Sequence, residues 1–293
     1  MRNMLKDRIA VITGAGNGIG RAHALAMSRQ AAKIVVNDIG TSTDGIGTSR
    51  EPADKVVKEI IDAGGEAVAN YDTVATEEGA AAIIDTAIEH FGRIDILVNN
   101  AGVIRDPPRD IDEVPFEDWE IVLKTHLYGT FFTSRRACSY MKKQQYGRIV
   151  NTASHTGLGW RGFADYSAAK EGIIGFTRTV ARDVAEYGIT VNVIRPIAAW
   201  RGTKENIPIV AVNRPEDVAS LVVYLVSEPA GNINGHIFEV WKGHVGIYVE
   251  PPTIKNIVRN ENGWTSEELA EVIPRTLAKD LIATKFPETI IWD

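Results

Sequence analysis

The sequence predicts an α/β fold: one doubly wound, mostly parallel sheet with helices on both faces, followed by a C-terminal extension. Three observations predict it. Short apolar runs of strand length alternate with helix-period segments over about 240 residues. The first run passes without a break into a glycine-rich turn and then a helix, through Thr13-Gly14-Ala15-Gly16-Asn17-Gly18-Ile19-Gly20. No repeat, low-complexity tract or linker interrupts the alternation before residue 250, so residues 1–250 read as one domain and 251–293 as an extension.

In chain order, Arg8 to Ile12 reads as a short buried strand, and Ala22, Leu25, Ala26 and Arg29 give the following segment a helical period. Strand, glycine turn and helix is the layout in which backbone N–H groups and the positive end of a helix receive a pyrophosphate. The glycines sit as G-x-x-x-G-x-G through Gly14, Gly18 and Gly20, not as the strict G-x-G-x-x-G, and a glycine turn alone also occurs without a nucleotide. A second strand, Lys33 to Asn37, ends at Asp38, about 20 residues past the glycines, where a carboxylate hydrogen-bonds the adenosine ribose and repels a 2′-phosphate. No Arg or Lys stands at Asn17 or directly after Asp38, so NAD is favoured over NADP; the bland alternative is that Asp38 caps a turn.

Ile39 to Arg50, rich in Gly, Ser and Thr, reads as a mobile loop. Pro52 opens a helix to Ala63, stopped by Gly64-Gly65. Glu66 to Asn70 is a third strand, with Asp72 and Val74 just past it, near where an adenine would lie. A helix over 77–91 precedes the strand Ile94 to Val98 and the turn Asn99-Asn100-Ala101-Gly102, whose small residues suit a flat ligand or a simple turn. After a loop from Val103 to Val114, a long helix is predicted from Phe116 to Lys143, then strands at Gly147 to Thr152, Ile189 to Ile194 and His236 to Val240. A helix over Pro215 to Val226 precedes the last of these. In the extension, Thr265-x-x-Glu268 has the form of a capping box opening a helix that Pro274 would bend or end, packed on the domain or a neighbouring subunit.

Composition narrows the function classes. The chain has 293 residues, 44% hydrophobic and 24% charged, with net charge −6, which argues against a nucleic-acid surface as its main business. Cys138 is the only cysteine, so an intrachain disulfide and a thiolate cluster are excluded. His23, His90, His126, His155, His236 and His244 lack ligand spacing, and a metal site is not expected. No apolar run reaches membrane-span length. Met1 to Asp7 leaves no room for a signal peptide, and the terminal Ile-Trp-Asp is not the common peroxisomal tripeptide, so a cytoplasmic location is expected.

The segment Tyr166-Ser167-Ala168-Ala169-Lys170 carries the chemistry. Tyr and Lys four apart share a helix face. A free phenol has a pKa near ~10 and is a poor base at neutral pH, and an ammonium beside it favours the phenolate. Lowering that pKa by about three units takes roughly 4 kcal/mol, within reach of a close, partly desolvated cation aided by a second positive charge. The pair suits proton transfer at an alcohol or carbonyl oxygen, although such spacing also occurs in ordinary surface pairs.

With Thr13-Gly14-x-x-x-Gly18-x-Gly20, Asn99-Asn100-Ala101-Gly102, Ser154 and Tyr166-x-x-x-Lys170 in register, the chain resembles the short-chain dehydrogenase/reductase family. Val35-Val36-Asn37-Asp38, Ala67 to Asp72, Gly102 to Asp106, Gly235 to Val240 and Ile257-Val258-Arg259 narrow the resemblance. They are similar to the (3R)-hydroxyacyl-CoA dehydrogenase branch of that family, as in the peroxisomal multifunctional enzymes of type 2 and their bacterial relatives. The resemblance implies a Rossmann-type sheet and an oxidoreductase moving hydride between a secondary alcohol and NAD. It assigns Ser154 to the substrate oxygen, Tyr166 to proton exchange, and Lys170 to the Tyr pKa and the nicotinamide ribose. It places the cofactor on Gly14, Asn17, Gly18, Ile19, Gly20, Asp38, Asp72, Val74, Asn100, Ala101, Gly102, Tyr166, Lys170, Pro196 and Thr203. Three departures stand out. His126, a catalytic candidate that would keep a relay through water or backbone or else serve as a purely structural His, occupies a position where many members carry an Asn of a proton relay; Ser154 to Tyr166 is one residue short; and Ile197 replaces the Gly that usually follows Pro196.

His155, Trp160, Arg161, Phe163, Trp200 and Arg201 flank the catalytic Tyr and, with Leu158 and Lys204, suggest an apolar slot with a cationic mouth for an acyl-CoA. Aromatics folded back onto the domain with solvated basic residues is the alternative. Lys204 to Asn213 is short for a lid. The leading expectation is an NAD-dependent (3R)-3-hydroxyacyl-CoA dehydrogenase. A hydroxysteroid dehydrogenase, a 3-oxoacyl carrier-protein reductase and a non-catalytic NAD-binding regulatory module are the alternatives. The family implies a homodimer or homotetramer, to which Phe131, Phe132, Ile173 and Phe176 would contribute.

Overall fold

Residues 3–105, 108–198, 213–249, 252–261 and 263–279 are described in the computed structural model. Strand β1, Ile9–Thr13, is buried along its whole length, as a strand covered on both faces must be. The others are β2 (Lys33–Asn37), β3 (Ala67–Asn70), β4 (Ile96–Asn99), β5 (Gly147–Thr152), β6 (Ile189–Pro196), β7 (Ile237–Trp241) and β8 (His244–Ile247). They form one sheet in the order β3-β2-β1-β4-β5-β6-β7-β8. Every pairing up to β7 is parallel, and β7 with β8 is antiparallel. The strand order reverses between β1 and β4, and in open sheets of this kind that is where ligands bind, beyond the carboxyl ends of the strands.

Alternate side chains feed two cores, as the period of two in a strand requires. Ala10, Ile12, Ile34, Val36, Ile96, Val98, Val150 and Ile194 pack under α1 (Gly18–Arg29), α2 (Glu51–Asp62) and α7 (Pro215–Leu225). Val11, Val35, Leu97, Ile149 and Val191 face α3 (Glu77–Phe91), α5 (Gly129–Gln144) and α6 (Ala164–Asp183). The doubly wound sheet read from the sequence is therefore the fold observed.

Three differences have physical reasons. The helix expected from Phe116 to Lys143 is α4 (Phe116–Leu123) and α5, joined by one π-type turn at Lys124–Tyr128. That widened turn buries His126 against Gly102, where a Cβ would lie 2.3 Å from the His126 Cε1. Strand β8 was not anticipated. Lys242 and Gly243 both take positive φ (25° and 74°), the left-handed pair that a two-residue hairpin requires, and Trp241 and His244 then stack at 4.9 Å. The loop after Asp38 is also fastened rather than free. The Ser49 N–H donates to the Ile39 carbonyl, the Ile104 N–H to the Thr43 carbonyl, and Arg105 to the Asp44 carbonyl.

The chain divides into two compact units, residues 1–248 and 249–293. In the second, Thr265 and Glu268 form the expected capping box at the start of α8 (Ser266–Arg275), and Pro274 lies in its last turn.

Candidate active site and cofactor cleft

The turn after β1 is built so tightly that its glycines cannot be replaced. Gly14 takes φ +63°, and a Cβ there would sit 2.8 Å from the Ala101 Cα. A Cβ on Gly20 would lie 2.2 Å from the Gly14 carbonyl oxygen. Asn17 caps α1 without accepting through its side chain, so the N–H groups of Gly18, Ile19 and Gly20 are presented at the positive end of the helix with no side-chain cap. This is a cradle that fits the pyrophosphate of a dinucleotide.

Asn100 and Thr13 close its floor. Thr13 Oγ1 accepts from the N–H groups of Asn100 and Ala101, both at 3.0 Å, while Asn100 Nδ2 donates to the carbonyls of Thr13 (3.0 Å) and Gly14 (3.1 Å). Asn100 thus locks the turn with its side chain, and Ala101 and Gly102 leave only backbone and a methyl along the cleft. The sequence carries Thr13 only as the first residue of the glycine motif, with no role of its own. Its place at the end of a strand, directly before the first glycine, was the available signal.

Asp38 is 6% exposed at the end of β2. One oxygen accepts from the Gly16 N–H at 2.8 Å and the other from the Gly40 N–H at 2.7 Å. The carboxylate therefore does hold turns, and each oxygen retains a second lone pair with which to meet a hydroxyl. Asn70 donates to Asp72 at 2.8 Å and accepts from Asn37 at 2.9 Å, which fixes the exposed Asp72 at the mouth of β3. Val74 is buried and packs beside the start of α5, where a Cβ on Gly129 would come within 2.9 Å of it.

Ser154, Tyr166, Lys170 and His126 converge beyond the ends of β4 and β5. Ser154 follows β5 and caps the short turn His155–Leu158, its Oγ accepting from the Thr156 N–H at 3.2 Å. The influence of this hydroxyl on the Tyr166 phenol is to favour the phenolate. The short spacing between the two is absorbed by that turn and by Gly159, which takes φ 105°. Lys170 is buried and donates to the Thr152 carbonyl at 2.7 Å, with Nζ 5.4 Å from the centre of the Tyr166 ring. The His126 ring meets Tyr166 edge-on at 5.1 Å.

The electrostatics correct one expectation. Burial pushes the Tyr166 phenol above its ordinary value, and the Ser154 hydrogen bond only partly offsets this. The depressed phenol pKa expected from Lys170 is not what these protein groups produce. Burial acts on the lysine as well, pulling it down to about 7. His126 is held well below the usual imidazole range by burial and then by the Lys170 charge, against a hydrogen bond with Val103 that favours its cation. Its Nε2 lies 2.7 Å from the Val103 carbonyl, and the buried Nδ1 has no partner among the described residues. His126 is thus a neutral ring.

The substrate-side residues are less gathered. Trp160 is 43% exposed and Leu158 41%, both on the turn beside Ser154, with Phe163 half-buried at the start of α6. Arg161 pairs with Asp110 at 3.0 Å in open solvent, so it is not an uncommitted cation at a mouth. His155 points to Glu239, which its Nδ1 approaches at 2.8 Å. Glu239 was also missed, and a lone carboxylate inside the apolar run Ile237–Trp241 was its signal. Pro196 ends β6, and Thr203, Trp200, Arg201 and Lys204 lie outside the described residues. Among the described residues no group of His, Cys, Asp and Glu could hold a metal ion.

Comparison with known proteins bears on this geometry. The profile of the short chain dehydrogenase family matches residues 8–200. Peroxisomal multifunctional enzyme type 2 of Mus musculus is 45% identical over 258 residues, 87% of this chain but 34% of that protein, so the chain spans about a third of it. A hydroxyacyl-CoA dehydrogenase of Mycobacterium tuberculosis is 33% identical over 301 residues, covering 97% of this chain and 91% of that one. The crystal structure of a short chain dehydrogenase from Mycobacterium avium superposes with a TM-score of 0.83 at 40% identity, over 94% of this chain and 96% of that one.

Proposed function

Since the chain belongs to the short-chain dehydrogenase family, and is therefore an oxidoreductase using a nicotinamide cofactor, we propose that it is an NAD-dependent dehydrogenase of (3R)-3-hydroxyacyl-CoA thioesters. The observation that carries the reading is the buried Lys170, anchored on the Thr152 carbonyl at 2.7 Å with its Nζ 5.4 Å from the centre of the Tyr166 ring, beside the turn that carries Ser154. In this reading residues 1–250 form the catalytic domain and the protein acts in the cytoplasm as a homo-oligomer. No helix among the described residues is long and apolar enough to cross a membrane.

The α1 cradle, Asp38, Asp72, Val74, Ala101, Gly102, Pro196 and Thr203 would hold the cofactor, which supplies a hydride acceptor when bound. Ser154 donates to the substrate oxygen and fixes the carbinol carbon. Tyr166 takes the hydroxyl proton as hydride leaves that carbon, and returns it in the reverse direction. Lys170, anchored on the Thr152 carbonyl, supplies positive charge close to the phenol and would hold the nicotinamide ribose when the cofactor is bound. Neutral His126 steadies the Tyr166 ring from its edge and carries no charge.

Two features support the finer choices. A carboxylate at the end of β2 repels a 2′-phosphate, which favours NAD and disfavours the carrier-protein reductase reading, since that role usually uses NADPH. The match to a mycobacterial hydroxyacyl-CoA dehydrogenase over nearly its full length, with Leu158 and Trp160 exposed beside the catalytic turn, favours an acyl chain. A cationic mouth adds little, because CoA phosphates would have to compete with Asp110 for Arg161. The test is a kinetic comparison of (3R)-3-hydroxyacyl-CoA esters with 3- and 17-hydroxysteroids, each with NAD and NADP. The highest kcat/KM should fall on a CoA ester with NAD. A steroid leading the panel would replace the substrate assignment, and NADP leading would remove the role given to Asp38.

A further inference from the structure

The turn that carries Ser154 is held from two sides. From α6, Ser167 Oγ donates to the Thr156 carbonyl at 3.0 Å, and Gly157 lies so near the helix that a Cβ there would sit 3.0 Å from the Lys170 Cβ. From β7, Glu239 accepts from His155 Nδ1 at 2.8 Å, and His155 is the residue directly after Ser154. The turn closes on Ser154 itself, whose carbonyl accepts from the Gly157 N–H at 3.1 Å and whose hydroxyl accepts from the Thr156 N–H. His155 cannot move without moving both of these contacts.

Glu239 is an expensive residue to place there. It is 8% exposed, in a strand whose neighbours Ile237, Phe238 and Val240 are apolar, and a buried carboxylate destabilises the fold unless it is well partnered. Packing alone would be served by an apolar side chain. Its second oxygen accepts from the Tyr248 hydroxyl. Its cross-strand neighbour Arg195, 3% exposed, donates to Glu171 at 2.7 Å and lies over the Tyr248 ring at 4.8 Å. Burial works against ionisation of Glu239, but the hydrogen bonds from His155 and Tyr248, with the His155 and Arg195 charges, outweigh it and hold the carboxyl below its ordinary value. An ionised acceptor at Nδ1 holds the imidazole in one orientation, with its Nδ1–H directed at the carboxylate.

We propose that Glu239, acting through His155, is a positioning residue that fixes the catalytic turn and with it the place of the Ser154 hydroxyl. The inference rests on the proposed function for what Ser154 does, and on the hydrogen bonds alone for how Ser154 is held. Misplacing a catalytic group by about 1 Å costs on the order of 10²-fold in rate, so the contact is expected to show in kcat.

The experiment compares wild type, Glu239→Ala, Glu239→Gln, His155→Phe and the double variant Glu239→Ala/His155→Phe. Each is assayed on (3R)-3-hydroxydecanoyl-CoA with NAD, and NAD affinity is measured separately by calorimetry. A crystal structure of Glu239→Ala completes the set. Glu239→Ala and His155→Phe should each lose at least tenfold in kcat, with NAD affinity within twofold of wild type. Glu239→Gln, which keeps an acceptor for Nδ1, should stay within threefold. The double variant should lose no more than either single one, as two residues in one chain of contacts do. In the crystal structure the turn should have shifted and the Ser154 Oγ should have lost its hydrogen bond from the Thr156 N–H. Should Glu239→Ala not fold, His155→Phe carries the same expectations in both kinetics and crystal structure. Wild-type kcat in Glu239→Ala, or an unchanged Ser154 turn in its structure, overturns the proposal. If the wild type oxidises no alcohol at all, the proposed function fails, and the crystal structure still decides whether Glu239 positions Ser154.

Discussion

Replacing His23 with leucine should stabilise the protein, and more so in acid. His23 lies on α1 beside Ala24 and Met27, fully buried, and neither ring nitrogen has a partner among the described residues. Burial pulls its pKa from the ordinary 6.5 down to about 3. The unfolded chain binds the proton first, so stability is present above pH 6.5 and drains away as pH falls toward 3. Each unit of that gap is worth about 1.4 kcal/mol, giving roughly 2 kcal/mol at pH 5 and at most about 5 kcal/mol by pH 3. A second contribution does not depend on pH, because two unpaired buried nitrogens cost about 1 kcal/mol or more even when neutral. Urea denaturation of both proteins at equal concentration should show His23→Leu more stable by about 1 kcal/mol at pH 8 and by about 3 kcal/mol at pH 5. His126, whose pKa is also depressed, is common to both proteins and cancels in the difference. A difference that stays constant between pH 5 and pH 8 would refute the buried, neutral His23 on which the argument stands.

Other perturbations test other parts of the structure. Asp95, fully buried, accepts from the Ile9 N–H at 3.0 Å and pairs with Arg93 and Arg8, so Asp95→Ala should cost about 3 kcal/mol in chemical denaturation. Ser154→Ala removes the hydrogen bond that favours the Tyr166 phenolate, so the alkaline rise of kcat/KM for alcohol oxidation should move to higher pH, read from a pH–rate profile. Asp38→Ala should lower the NAD-over-NADP ratio of kcat/KM by at least about tenfold, because the repelling carboxylate is gone.

Where the controlling interactions are local, the sequence was readable. The bounds of α3 follow from Thr76, which caps the Gly79 N–H, and from Gly92 at φ 77°, both visible as residue types at the right offsets. Strand β2 was legible as the apolar run Ile34-Val35-Val36, and β5 from Ile149-Val150 at its centre, although Arg148, Asn151 and Thr152 are buried with them. The π-type turn at Lys124–Tyr128 was not legible, because helical periodicity continues through it and the widening is tied to packing of His126 on Gly102, 24 positions upstream. In the site, the Tyr166–Lys170 spacing and the Ser154 position could be read. The direction of the Tyr166 pKa could not, since burial by the assembled domain outweighs what a neighbouring side chain offers. The partners of His155 and Arg161, Glu239 and Asp110, are 84 and 51 residues away, and no local pattern announces them.

The central claim is that one buried phenol exchanges the proton. Its most direct test is the turnover of Tyr166→Phe on the best CoA ester with NAD, with cofactor affinity measured on the same preparation. The account predicts a fall in kcat of about 10²- to 10⁴-fold with NAD binding within twofold of wild type. A variant that binds NAD normally and keeps kcat within threefold would contradict it.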